Sequence, residues 1–284
     1  MKKVVVRVQC PDRPGLVHDI TGVIAKDIGA NLDSLEQHIF PDEKIFFMRA
    51  TFDMPRESGV APVREQFSRF TEKYHAAVTV DDADARDRLA LFATKEVHCL
   101  EDVLSEHSQG NLPADIALII SNHESPVADI ARRFNIGFRH VPVEKQGDRS
   151  AERRHLELLR EHGIQLVGLA RYMRIVGEEM VKEYPNRIIN IHHSFLPAFV
   201  GANPYRKAYE RGVKMVGATA HFVTAELDQG PIISQNTAQV DDFTSIEGFK
   251  RIGRKIEKQV FVEALSKFLE RKTMVFGNRV IVFK

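Results

Sequence analysis

Apolar residues fall along this chain in two rhythms, and the change between them divides it. Residues 3–9 read as a strand, since V-V-V-R-V is rich in β-branched side chains. P-D-R-P-G-L follows at 11–16 and opens a helix to about Gly29. Residues 31–39 and 44–52 give two more strands, joined by the turn Pro41-Asp42-Glu43. Residues 61–75 read as a helix, with Val63, Phe67 and Phe70 forming an apolar stripe at i, i+4 and i+7. A last strand occupies 76–81, so the predicted order is βαββαβ, the ferredoxin-like arrangement. D-D-A-D-A-R-D-R at 81–88 is densely charged and has no apolar periodicity, which places a domain boundary there. The expected domains are 1–83 and 84–284.

Beyond the boundary, short apolar runs at 88–93, 115–120, 164–169 and 187–191 alternate with helical patterns at about 97–108, 125–134, 149–162 and 175–183. That alternation predicts an open, mainly parallel α/β sheet. Strands at 215–223 and 231–240, a helix from about 244 to 271 and a hairpin about Gly277-Asn278 complete the domain.

One run breaks its own pattern. R-I-I-N-I-H-H-S-F-L-P at 187–197 is a buried strand interrupted by Asn190 and His192. Residues two apart on a strand share a face, so these two project together at the strand's end. H-F-V-T-A-E-L-D-Q-G-P at 221–231 brings Asp228 in a second loop. Ligands in open α/β sheets sit beyond the carboxyl ends of the strands. An imidazole moves protons near neutral pH, an amide donates to a developing oxyanion, and a carboxylate orients an imidazole or polarises a water. The set suits attack on a carbonyl carbon without a metal or a covalent intermediate.

Composition narrows the class. With 284 residues the chain is comfortable for two domains, and its 43% hydrophobic and 28% charged shares are ordinary for globular protein. A net charge of +1 argues neither for nucleic acid nor for an anionic membrane surface. Cys10 and Cys99 lie in different predicted domains and read as free thiols. The opening M-K-K-V-V-V-R-V is too short an apolar run for a signal peptide or a membrane span. A cytoplasmic protein is expected.

The two motifs, N-I-H-x-S-x-L-P and then H-F-V-x-x-x-L-D-x-G-P-I-I, resemble the folate-dependent formyltransferase family over about residues 88–284. The resemblance implies Asn190, His192 and Asp228 as catalytic residues, and a folate lying against Met173, Arg174, Ile175 and the loop from Val223 to Asp228. H-H-S-F-L-P-A-F-V-G-A-N-P-Y at 192–205, L-A-R-Y-M-R at 169–174 and the F-G-N-R hairpin resemble one branch of that family, as does the front domain, which is similar to an ACT domain. That branch hydrolyses 10-formyltetrahydrofolate to formate and tetrahydrofolate in one-carbon metabolism, requires no cofactor, and implies no nucleotide, metal or flavin. Hydrolysis also agrees with T-K-E-V-H-C-L-E-D at 94–102, which has no glycine and three acids. Such a segment makes a poor cradle for a phosphorylated amine acceptor. Transfer to another amine, and folate binding without turnover, remain as alternatives.

Other residues carry two readings each. His193 is expected on the face opposite His192, as a structural or pocket-rim residue, and His221 either orients Asp228 or fills its strand. Arg174 either binds the ligand or solvates a helix start. His98, Cys99 and His107 share a helix, but no full ligand set emerges and no metal is expected. Arg171 stands where the family resemblance leads one to expect Lys. In the front domain Asp12 is a cap candidate and Pro14 suits a helix start. ACT domains pair, and many bind amino acids. The resemblance therefore implies a homo-oligomer through this domain and an effector site, for glycine or methionine, at Asp12, Gly15, Leu16 and Asn31. The plain alternative is a tight, well-capped turn.

Overall fold

β-Branched and aromatic runs separated by polar turns build the first unit, which comprises Met1–Ala85 with Glu270–Met274 and Ile281–Lys284. The computed structural model describes residues 1–57, 59–144, 147–198 and 204–284. The order is β1 (Lys2–Pro11), α1 (Leu16–Gly22), β2 (Leu32–Phe40), β3 (Ile45–Met54), α2 (Ala61–Gln66), α3 (Ser68–Tyr74) and β4 (Ala77–Asp82). The strands form an antiparallel sheet in the order β2-β3-β1-β4. Alternate residues of β1, Val4, Val6 and Val8, enter one core with Leu16, Ile20, Phe67 and Phe70.

Two local expectations change here. The first helix is regular only to Gly22 and continues over Val23–Asp27 as a wider, π-type turn. Asp12 does not cap it: Gly15, at φ 92°, is the N-cap, and no side chain caps the end. The second predicted helix is interrupted at Phe67, yet Val63, Phe67 and Phe70 are all buried as the stripe requires.

The second unit, Arg86–Leu269 with Val275–Val280, runs β5 (Asp87–Ala93), α4 (His98–Ser108), β6 (Ala114–Ser121), α5 (Val127–Arg133), β7 (Phe138–His140), α6 (Arg149–Glu161), β8 (Leu166–Ala170), α7 (Glu178–Glu183), β9 (Ile188–His192), α8 (Pro204–Arg211), β10 (Met215–Phe222), β11 (Ile232–Gln239) and α9 (Ile246–Leu269). The chain closes with β12 (Thr273–Phe276) and β13 (Arg279–Val282). The sheet order is β12-β13-β11-β10-β9-β8-β5-β6-β7. Pairs from β9 to β7 are parallel, whereas β10 is antiparallel to β9 and β11. Strand β5 is buried on both faces, with Leu89, Leu91 and Ala93 in one core and Ala90 and Phe92 in the other. Chain order reverses at β5, whose neighbours are β6 and β8, so a topological switch point lies there. The three-residue β7 and the helix α8 are additions to the predicted elements; β7 is too short to carry a period of its own.

Candidate active site

Strand β9 places Ile189 and Ile191 in one core and Ile188 in the other, so Asn190 and His192 share the face of Ile188. Its antiparallel partner β10 sets His221 directly opposite Asn190. A register irregularity between Ala220 and His221 shifts the pairing with β11, so that His221 faces Ile232. The loop that follows returns Asp228 to the strand ends. Gly230 makes that return possible, because a Cβ there would lie 1.7 Å from the Phe222 carbonyl oxygen. The same close approach lets the Phe222 N–H donate to the Pro231 carbonyl at 2.9 Å.

The three expected residues therefore meet, with His221 as a fourth. His192 Nδ1 lies 3.3 Å from Asp228 Oδ1, and His221 Nε2 lies 3.7 Å from the same oxygen. His221 Nδ1 donates to the Phe222 carbonyl at 2.8 Å, which turns Nε2 toward Asp228 and, at 3.3 Å, Asn190 Nδ2. Burial pushes the Asp228 carboxyl up, but the two imidazoles outweigh it and hold it well below the usual carboxylate range. His192 Nε2 is sealed from solvent and has no partner among the described residues.

These groups line a cavity of about 300 Å³ together with Met173, Arg174, Ile175 and Val223. Met173 and Ile175 are 54% and 52% exposed, an apolar surface suited to a flat ring. Arg174 precedes α7 instead of opening it, and faces the same cavity. His193 also lines this cavity. Strand β9 ends at His192, so strict alternation does not extend to His193, which borders this cavity, as the pocket-rim reading has it, and a second one lined by Ser194, Phe195 and Tyr205.

Arg171, which also lines the cavity, belongs to a second cluster that no motif in the sequence announces as a set. Glu257 of α9 is only 1% exposed and accepts from His98 Nε2 at 2.8 Å and from the Tyr205 hydroxyl. Arg171 Nε lies 3.3 Å from the same carboxylate, and Thr94 Oγ1 donates to the Arg171 carbonyl at 3.0 Å. Arg171 and Thr94 follow β8 and β5, so they bridge the switch point. Burial pushes the Glu257 carboxyl up, but His98, Arg171 and Tyr205 outweigh it and lower it. His98, Cys99 and Glu257 come close enough for metal donors, yet the guanidinium beside the carboxylate makes this a poor cation site. The available signal was an acid at i+4 from Gly253 and i−3 from Val260, inside the apolar stripe of α9.

In the first unit, Asp12, Gly15 and Asn31 are exposed, while Leu16 is 2% exposed and turned into the core. Residues 199–203 of the 192–205 motif lie outside the described residues.

The sheet, its switch point and the Asn–His–Asp cluster define a class: the chain belongs to the formyl transferase family, whose pattern it matches over residues 87–265. Its branch is that of the formyltetrahydrofolate deformylases. It is 42% identical over 279 residues to the formyltetrahydrofolate deformylase of Bacillus subtilis, covering 97% of this chain and 92% of that one. A crystal structure of a formyltetrahydrofolate deformylase from Pseudomonas syringae superposes with a TM-score of 0.96 at 36% identity, covering 100% of this chain and 95% of that one. Glycinamide ribonucleotide transformylase 1 from Symbiobacterium toebii matches at a TM-score of 0.66 and 34% identity, covering 70% of this chain and 95% of that one.

Proposed function

We propose that this chain hydrolyses 10-formyltetrahydrofolate to formate and tetrahydrofolate. The observation that carries the reading is one carboxylate held by two imidazoles beside an amide, in an apolar-walled cavity, in a chain matching deformylases along their length. The folate lies against Met173, Arg174, Ile175 and Val223. Asp228, ionised and oriented by His192 and His221, polarises a water that attacks the formyl carbon. Asn190 donates to the tetrahedral oxyanion, and the Asp228–His192 pair takes up the proton that the water gives away. The C–N10 bond then breaks, N10 takes a proton, and formate leaves. No cofactor enters this scheme.

Water is favoured as acceptor by the start of α4. Its acids are engaged in ion pairs, Glu96 with Arg254 at 3.1 Å, Glu101 with Arg133 at 2.6 Å and Asp102 with Lys258 at 2.7 Å. None of this forms a phosphate nest. Formate release without an amine acceptor tests the reading; no formate until an amine is added would replace it by transfer.

The βαββαβ unit is read as an ACT-type regulatory and dimerisation domain over residues 1–83, ahead of a catalytic domain over 84–284. Its strands β2 and β4 form sheet edges for pairing. An amino-acid effector, glycine or methionine, would meet Asp12, Gly15 and Asn31, with Leu16 contributing backbone alone. The buried free thiols Cys10 and Cys99 accord with a cytoplasmic setting. No helix among the described residues is long and apolar enough to cross a membrane.

A further inference from the structure

The imidazoles of the site differ in what they leave open. His192 directs Nδ1 at Asp228 and has its Nε2 sealed, while His221 spends Nδ1 on a backbone carbonyl. His193 is different. It is 8% exposed, its ring nitrogens make no hydrogen bond among the described residues, and neither belongs to the sealed, unpartnered atoms. The residue borders two cavities, the one that holds Asn190, His192 and Asp228 and a second lined by Ser194 and Tyr205.

The ring's position is also fixed. Its centroid lies 5.4 Å from that of His192 and 6.0 Å from that of Tyr205. Tyr205 is held in turn by its hydroxyl on Glu257, the carboxylate that also holds His98 and Arg171. Gly253 gives the tyrosine its place, since a Cβ there would lie 2.2 Å from the phenol ring. Burial, then the Arg171 guanidinium, push the His193 imidazole down to about 3. A neutral imidazole always offers one lone pair.

We infer that His193 holds the attacking water, accepting a hydrogen bond from it, and that the Glu257 cluster positions His193 through Tyr205. The inference rests on the hydrolytic reading above. A water polarised by Asp228 alone is free to swing about that one contact. A second acceptor fixes both of its protons and aims an oxygen lone pair at the formyl carbon. His193 keeps no proton in this step. The water oxygen bonds to carbon, one water proton passes to the Asp228–His192 pair and from there to N10 as the C–N10 bond breaks, and the second proton stays on the new oxygen and is lost when the product leaves as formate.

His193→Leu keeps the bulk and removes the lone pair. Its kcat is expected to fall about 100-fold, with tetrahydrofolate affinity held within about threefold and the thermal midpoint maintained. In His193→Gly, added imidazole is expected to restore part of the lost turnover, which a merely structural residue would not allow. Retention of more than about a third of kcat by the leucine variant would overturn the inference, as would parallel loss of folate affinity or failure of imidazole to rescue. Formate release by the wild type separates the two levels. Without it the hydrolytic reading fails, whereas equal hydrolysis by wild type and His193→Leu leaves that reading standing and removes only this one.

Discussion

Asp228 occupies the left-handed backbone region at φ 56°, where a short carboxylate side chain is tolerated better than most. Strain of this kind persists where surrounding contacts over-determine it, and here the two imidazoles supply them. Asp228→Asn is expected to lower hydrolysis by about 100-fold or more while folate binding persists. Its effect on stability has a defined sign. The native carboxyl is depressed below its ordinary value of 3.8, so its contribution is present above that value and is lost as pH falls through the native one. Thermal midpoints of wild type and Asp228→Asn should therefore differ at pH 5 and above and converge in stronger acid. A constant difference would show that the loop, and not the charge, sets the effect. Asn190, His192 and Asp228 were legible in the sequence because each interrupts a β-branched run or closes a turn motif. Glu257, Arg171, Tyr205 and His98 were not legible as a set, because their meeting depends on how four elements cross.

At the level of elements, two glycines decide where the site's walls stand. Gly230 faces backbone: any Cβ there must displace the Phe222 carbonyl and with it the Asp228 loop. Gly177 faces the end of a flexible side chain, with a Cβ 2.0 Å from Glu152 Oε1. That carboxylate accepts from the Met180 N–H at 3.2 Å and so fixes the start of α7 behind Met173–Val176. Gly230→Ala is expected to cost about 3 kcal/mol or more in stability and to lower kcat. Gly177→Ala should raise KM severalfold with kcat within about twofold, the signature of lost ground-state binding. Calorimetry and steady-state kinetics distinguish them, and equal effects on both parameters would contradict the difference in neighbours. Strands and long helices were legible from period and composition. The break at Phe67 and the uncapped start of α1 were not, since Val63, Phe67 and Phe70 satisfy one stripe whether or not the helix is continuous, and an Asp near a helix start caps only if its backbone places it there.

For the molecule as a whole, the change of rhythm near residue 83 marks two kinds of sheet, one antiparallel and one mainly parallel. The C-terminal segments Glu270–Met274 and Ile281–Lys284 group with the first unit, which no local pattern announces, because long-range grouping depends on tertiary contacts. If the first unit serves as an effector domain, equilibrium dialysis should detect glycine or methionine, and substitution of Asp12 and Asn31 should abolish the binding without changing basal turnover. No binding at millimolar concentration would remove the effector reading.

The most direct measurement supplies the purified chain with 10-formyltetrahydrofolate and no amine, in heavy-oxygen water. One formate per tetrahydrofolate is expected, carrying one solvent oxygen. Formate that appears only after an amine is added, or that lacks solvent oxygen, would contradict water as the formyl acceptor.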